Sequence, residues 1–428
     1  MTTKTMRLPI FGMALAGATI LCAAVPEVGN VTMVQSSTSR EVTISYTLAN
    51  APAVVTLDIE TNGPNGWVSI GGENIQCFSA DSDVWKKVSG KDEYVIKWHP
   101  DLSWPDHKIA DGGARAVVTA WADDNTPDYM VVDLTATGGP GTERYYPAVE
   151  FLPGGVLKNP VYRTTSIVMR KIMAKGVTWT MGSVSEDQRQ DDETTHLVTL
   201  DRNYYIGIFE VTQSQWNLVK GNNPSEYKGE GYSMHPVEQV SYQAIRNKDS
   251  ETQNFWPNDP GQDSFLYKLR EKTGIVNFDL PGEAQWEFAS RAGYGEGFWG
   301  TGKPYVNAWS DPNVPGNVNG AVYIGKTTTV GSYDPNAWGI YDMSGNVLEV
   351  CNDWYEADIT TNNGAVNVDQ TTPTLTLGGA TGTGRVERGG SCMLNVFKAR
   401  SAYRTRSRAT TSITGSGGFR LMCYAGLK

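Results

Sequence analysis

Between Val31 and Thr137, apolar and polar residues alternate in short runs rather than at helical spacing. VTMVQ (31–35), EVTISYTL (41–48), AVVTLDIET (53–61), YVIKWH (94–99), ARAVVTAWA (114–122) and YMVVDLT (129–135) are rich in β-branched and aromatic residues, and Asn, Gly, Pro and Asp punctuate the gaps between them. Side chains two apart share one face of a strand, so the pattern predicts half-buried strands whose spacing suits a sandwich. We expect a small all-β, immunoglobulin- or fibronectin-like sandwich over residues 25–137. Gly138-Gly139-Pro140-Gly141 opens a linker, with lead-in strands over 138–176.

From about Tyr145 the texture changes to Gly, Trp, Tyr and Asn with short capped helices. Thr212-Gln-Ser-Gln215 is a capping-box pattern ahead of a helix that Gly221 closes. Ser264 is placed to cap FLYKLREKT, which stops at Gly274, and Glu283–Arg291 predicts a third helix closed by Gly293. Pro281 fits its first turn. Long irregular stretches lie between these helices. Such loops must be held by aromatic packing, buried backbone hydrogen bonds or ions. The expected class is α+β, with a loop-rich domain over 177–428.

Composition narrows the setting. Lys4 and Arg7 precede an apolar run, Leu8–Ala24, ending in small residues, the pattern of a secretory signal peptide over 1–24. The expected location is therefore secreted or cell envelope, with no transmembrane segment in the mature chain. A net charge of -10 argues against a nucleic-acid partner, because phosphate binding needs clustered Lys and Arg. The one basic cluster, Arg400, Arg404, Arg406 and Arg408, reads as arginines paired with carboxylates. Beyond the signal, Cys77, Cys351, Cys392 and Cys423 allow three pairings; the plainest expectation is one disulfide in the C-terminal region plus buried thiols.

The second half carries motifs in a definite order: MGS (181–183), YYIGIFEVTQSQW (204–216), NNPS (222–225), HPVEQVSY (235–242), LPGEAQWEFASRAG (280–293), GIYDMSGNVLEVCNDWY (339–355), RVERGGS (385–391), RSAYR (400–404) and GFRL (418–421). This series resembles the sulfatase-modifying factor family, whose founding activity is formylglycine generation. The resemblance covers roughly Val177 to Cys423 and implies a C-type-lectin-like domain. Trp286 is expected in its core, and Gly345, Gly389 and Gly390 where a Cβ would block the backbone.

Catalysis in that family implies Cu(I) held by two thiolates shortly after GGS, soft sulfur suiting the soft ion. Here GGSCMLNVFKARSAYR offers a single cysteine, Cys392, as a candidate catalytic group, and Leu394 stands where the first of the pair would fall. The resemblance also implies Ca²⁺, bound by Asp342, Gly345, Val347 and Glu349, since hard cations take carboxylate and carbonyl oxygens. The four histidines show no metal-ligand spacing, Gly295–Gly300 is a turn rather than a dinucleotide fingerprint, and no G-x-S-x-G elbow exists.

Three functions remain open. The first is a non-catalytic extracellular module for a protein or glycan ligand, with Met393, Asn395, Phe397, Tyr403, Thr405 and Ser407 as candidate ligand-binding residues between the fixed landmarks. The second is a formylglycine-generating oxidase with a rearranged copper site, and the third a structural envelope protein.

Overall fold

The structure, a computed structural model, describes residues 24–136, 141–184, 186, 188–246, 259–293, 325–359, 384–407 and 415–426. The expected signal peptide (but for Ala24), most of the Gly138–Gly141 linker, the Gly295–Gly300 turn and Arg408 lie outside them. Among the described residues no helix is long and apolar enough to cross a membrane.

The N-terminal module forms two sheets. β1 (Glu27–Gln35) pairs with β2 (Val42–Ala49), and β3 (Ala53–Gly63) pairs with β4 (Gly66–Ser69) and β5 (Lys86–Val88). β6 (Tyr94–Trp98) returns beside β2, α1 (Pro100–Ser103) follows, and β7 (Ala114–Trp121) lies along β3. The alternation works as expected. Ile44 and Tyr46 on β2, Leu57 and Ile59 on β3, and Tyr94 and Ile96 on β6 meet in one core between the sheets.

β8 (Tyr129–Asp133) departs from expectation. It does not join the sandwich but pairs with β10 (Ser166–Ile172) and with β9 (Glu143–Tyr146), which together extend the sheet of the C-terminal domain. The reason is legible in YMVV, a continuous apolar run. Tyr129 and Val131 enter one core while Met130 and Val132 enter another, so the strand must lie in a sheet covered on both faces.

The remaining elements follow in order: β11 (Thr178–Met181) and β12 (His196–Thr199) form a hairpin, and β13 (Tyr204–Gly207) pairs with β10. Then come α2 (Gln213–Lys220), α3 (Tyr242–Ile245), α4 (Phe265–Thr273), β14 (Phe278–Asp279) and α5 (Glu283–Arg291). β15 (Leu348–Trp354), β16 (Arg385–Arg388), β17 (Thr405–Arg406) and β18 (Gly417–Gly418) make a second sheet, and β19 (Met422–Tyr424) closes the first, whose order is β14-β19-β13-β10-β8-β9.

The caps behave as the sequence predicts. The Thr212 hydroxyl accepts from the Gln215 N–H, the Gln215 side chain accepts from the Thr212 N–H, and Gly221 ends α2 with a φ of 74°. Ser264 and Gly274 bracket α4 in the same way. On α5 the left-handed cap falls on Ala292, one residue before Gly293, and Pro281 precedes the helix rather than sitting in its first turn. Trp216 of α2 stacks on Phe265 of α4 at 5.0 Å, and the edge of Phe419 closes the trio, tying both helices to the GFRL segment.

The six-stranded sheet thus divides two cores. One holds α2, α4 and Phe419; the other is shared with the sandwich, where Val168, Ile208, Phe209 and Val330 pack with Trp85, Tyr146 and Phe151. A third core gathers Trp286, Ile340, Met343 and Cys351 behind α5 and β15.

Candidate functional site

The two loops that hold the candidate copper and calcium residues lie against each other. Gly345 donates its N–H to the Gly389 carbonyl at 2.7 Å, and Cys392 donates to the Asn346 carbonyl at 3.0 Å. Gly345, Gly389, Gly390 and Asn346 all have φ between 60° and 89°. At Gly390 a Cβ would stand 2.7 Å from the Lys398 carbonyl, so no larger residue fits. After this turn Asn395 caps the short 3-10 turn Val396–Ala399 by accepting from the Phe397 N–H, and the chain re-enters the sheet as β17.

Buried ion pairs hold these loops. Arg400 grips both oxygens of Glu193 at 2.7 Å and reaches Glu186 at 2.5 Å. Arg404 binds Glu283 at 2.5 and 2.9 Å. Arg388 pairs with Glu287 and donates to the carbonyls of Ser401, Ala402 and Tyr403. Burial alone would raise the Glu287 carboxyl, but the guanidiniums of Arg291 and Arg388 outweigh it and hold the group below its ordinary range. Arg400 and Arg404 are therefore structural, in agreement with the expectation that they pair with carboxylates, whereas Arg406 is exposed.

Cys392 is fully buried, and burial first, then the charges of Glu210 and Glu238, push its thiol up to about 12. It is a neutral thiol at physiological pH, whereas copper ligation and nucleophilic attack need thiolate. Cys351 lies on β15 in the third core and Cys423 on β19 in the helix-side core, and burial raises both of their thiols as well. All four described cysteines are free, so the expected C-terminal disulfide does not form. The residues present do not fit a two-thiolate copper site.

The calcium set fares similarly. Glu349 on β15 gives its oxygens to Arg420 (2.6 and 2.5 Å) and accepts from the Trp286 indole N–H at 2.6 Å. Asp342 accepts from the Gly331 N–H at 2.6 Å, and burial, with the Glu349 charge adding, lifts its carboxyl to about 6. The N–H of Val347 turns to Glu210. Among the described residues no three His, Cys, Asp or Glu side chains are arranged to hold a metal. A cation at Glu349 would have to displace a buried guanidinium, so Glu349 as placed does not fit the role of a calcium ligand.

Glu210 and Asn346 escape the sequence reading, although Asn346 joins the two loops through its carbonyl and Glu210 anchors Asn346 and Val347. The Asn346 amide donates to Glu210 at 2.6 Å and its oxygen accepts from the Thr328 N–H. The available signal was Asn346 itself, since asparagine tolerates the left-handed backbone such a turn needs.

The candidate ligand residues divide. Met393 is 50% exposed and Asn395 and Thr405 are half-buried, while Phe397, Tyr403 and Ser407 are buried. Ser407 directly follows β17, donating its N–H to the Arg385 carbonyl and accepting from the Arg385 N–H through its hydroxyl, and Phe397 packs inward from the 3-10 turn. Phe397, Tyr403 and Ser407 are corrected from surface to interior: the Asn395 cap turns Phe397 inward, Arg388 holds the Tyr403 carbonyl, and Ser407 is bonded to Arg385 beside β16. The accessible part of the segment is Met393, Leu394, Asn395 and Lys398, with Lys398 over the Tyr403 ring.

Fold and site together define a loop-rich, C-type-lectin-like α+β domain with a β-rich module ahead of it. Residues 162–425 match the sulfatase-modifying factor enzyme 1-like domain, so the chain belongs to the sulfatase-modifying factor (FGE-sulfatase) family. It is 32% identical to the chaperone protein LppX of Paenibacillus barcinonensis, over 48% of this chain and 75% of that protein. It is 34% identical to the formylglycine-generating enzyme of Thermomonospora curvata, over 30% of this chain and only 41% of the enzyme. Among solved structures, Treponema denticola variable protein 1 shares 28% identity with a TM-score of 0.44, covering 60% of this chain and 95% of that one.

Proposed function

We propose that this protein is an exported, non-catalytic member of the family that binds an extracellular protein ligand through the segment following Ser391. The carrying observation is Cys392. The one thiol after the GGS turn is buried, neutral and hydrogen-bonded through its backbone to Asn346, while Met393 beside it is exposed and Leu394 and Asn395 are half-buried. Buried ion pairs fix the loop on both sides, and a pre-ordered loop loses little entropy on binding. An exposed methionine suits an apolar anchor that adapts to its partner. The relative named as a chaperone supports a protein rather than a glycan at this surface. Chain residues 25–428 are to be incubated with Cu(I), oxygen and a Cys-x-Pro-x-Arg peptide beside an active enzyme. No thiol-to-aldehyde mass loss is expected, and its appearance would overturn the non-catalytic half. Immobilised wild type should retain envelope proteins that Met393→Asp fails to retain; equal retention would overturn the binding half.

A further inference from the structure

The N-terminal sandwich opens at one corner into a cleft of about 540 Å³, within the range of roughly 300–1,000 Å³ usual for small-ligand sites. β1 and β7 are its walls. Each pairs on one side only among the described strands, β1 with β2 and β7 with β3. The floor reaches Val42, Ile59 and Trp98, residues that elsewhere belong to the core, so the cleft is a gap between the sheets rather than a surface dimple. The segment from α1 to Gly112 forms its lip.

The lip carries mixed chemistry. The rings of Trp104 and His107 lie parallel, 4.0 Å apart with an interplanar angle of 14°. His107 Nδ1 is 2.7 Å from the Pro105 carbonyl and 3.3 Å from that of Trp104. Carbonyls only accept, so Nδ1 carries the proton and Nε2 of the neutral ring is left as an acceptor. Arg40 comes in from the β1–β2 turn, and Asp101, Asp106 and Asp111 from the lip. Among the described residues Arg40 and Asp101 form no ion pair, whereas Arg115 at the opposite wall is already held by Glu60 at 2.6 Å.

These groups select a ligand class. A wholly apolar ligand would strip water from exposed charges without replacing its hydrogen bonds. An ion of either sign would face charges of its own kind, since Arg40 and the aspartates share the mouth. Hydroxyl groups satisfy both: they donate to carboxylates and to His107 Nε2, and accept from Arg40. A sugar ring adds an apolar C–H face that matches the indole and aliphatic walls. We propose that the cleft between β1 and β7 binds a neutral oligosaccharide, with the Trp104–His107 pair as its platform and Arg40 and Asp101 as hydroxyl partners.

The test uses chain residues 25–428 and titration calorimetry with tetrasaccharides of glucose, N-acetylglucosamine and mannose. A ten-residue peptide of alternating Val and Thr serves as a strand-forming probe. At least one tetrasaccharide should bind with a Kd of about 1 mM or tighter, and Trp104→Ala and Arg40→Ala should each weaken it at least ~10-fold. Arg40→Ala and Asp101→Ala alter exposed side chains, so they keep the test open if Trp104→Ala unfolds. No saccharide binding, or binding unchanged in the variants, would each overturn the proposal; peptide binding without saccharide binding would assign the cleft to strand addition.

Discussion

Arg420 and Glu349 close a bidentate ion pair, Nε to Oε2 at 2.6 Å and Nη2 to Oε1 at 2.5 Å, with both side chains buried. The pair joins GFRL to the GNVLEV strand, and Trp286 adds a third contact from α5. Glu349→Gln leaves a guanidinium buried without its counter-charge. The expected loss is about 3–5 kcal/mol in urea unfolding, and a loss under about 1 kcal/mol would show that the pair matters little.

The same pair bears on calcium. With Glu349 committed to Arg420, EDTA should leave the melting temperature of the wild type unchanged. A bound cation would stabilise the native state by mass action. A drop of several degrees on chelation, restored by added Ca²⁺, would therefore show that Asp342 and the neighbouring carbonyls hold an ion despite the arginine.

Stability should fall between pH 6 and 8. Asp353 accepts from the Glu283 N–H, and burial first, then the Glu283 charge, raises its carboxyl to about 7. The folded protein keeps this proton where the unfolded chain has released it, so native proton binding is the larger and stability declines as pH rises through 7. One such group contributes about 1.4 kcal/mol across that window. His235, lowered to about 4, acts in the opposite direction until pH passes its unfolded value near 6.5, and Asp342, raised to about 6, acts in the same direction as Asp353, so the Asp353 share is read as the difference between wild type and Asp353→Asn. Asp353→Asn should remove about 1.4 kcal/mol of the decline between pH 6 and 8 relative to the wild type; an unaltered slope would assign it to another group.

Thiol titration separates the cysteines. In the form lacking residues 1–24, Cys77 is exposed and Cys351, Cys392 and Cys423 are buried and free. Ellman's reagent should report one thiol in the native state and four after denaturation. Fewer than four in the denatured, unreduced protein would reveal a disulfide.

Calorimetry should show a single transition. The core between the sandwich sheets continues into Val168, Ile208, Phe209 and Val330 of the C-terminal domain, and Trp85 stacks on Tyr146 at 5.2 Å. Melting one part exposes the other, so the calorimetric and van't Hoff enthalpies should agree. Two separated peaks would mean that the module folds independently.

Much of this molecule is decided locally. Strand alternation in 41–48 and 94–99, the Thr212 and Ser264 caps and the glycines of GGS depend on neighbours in the chain, and each is readable from composition and spacing. The order of the motifs likewise carries the family. What a segment packs against is a different kind of information. YMVV was readable as a strand, but membership of the C-terminal sheet came from having two faces to bury. Glu349 was readable as an oxygen ligand, yet Arg420 lies 71 residues away and takes both oxygens. Phe397 and Ser407 stood among candidate surface residues until a cap and a strand pairing turned them inward. Cys392 was recognisable as a lone thiol from its position after Ser391; only the fold shows it neutral, because desolvation depends on everything around it. Chain-local geometry determined the elements and the family, whereas contacts distant in sequence decided charge state, exposure and availability for chemistry.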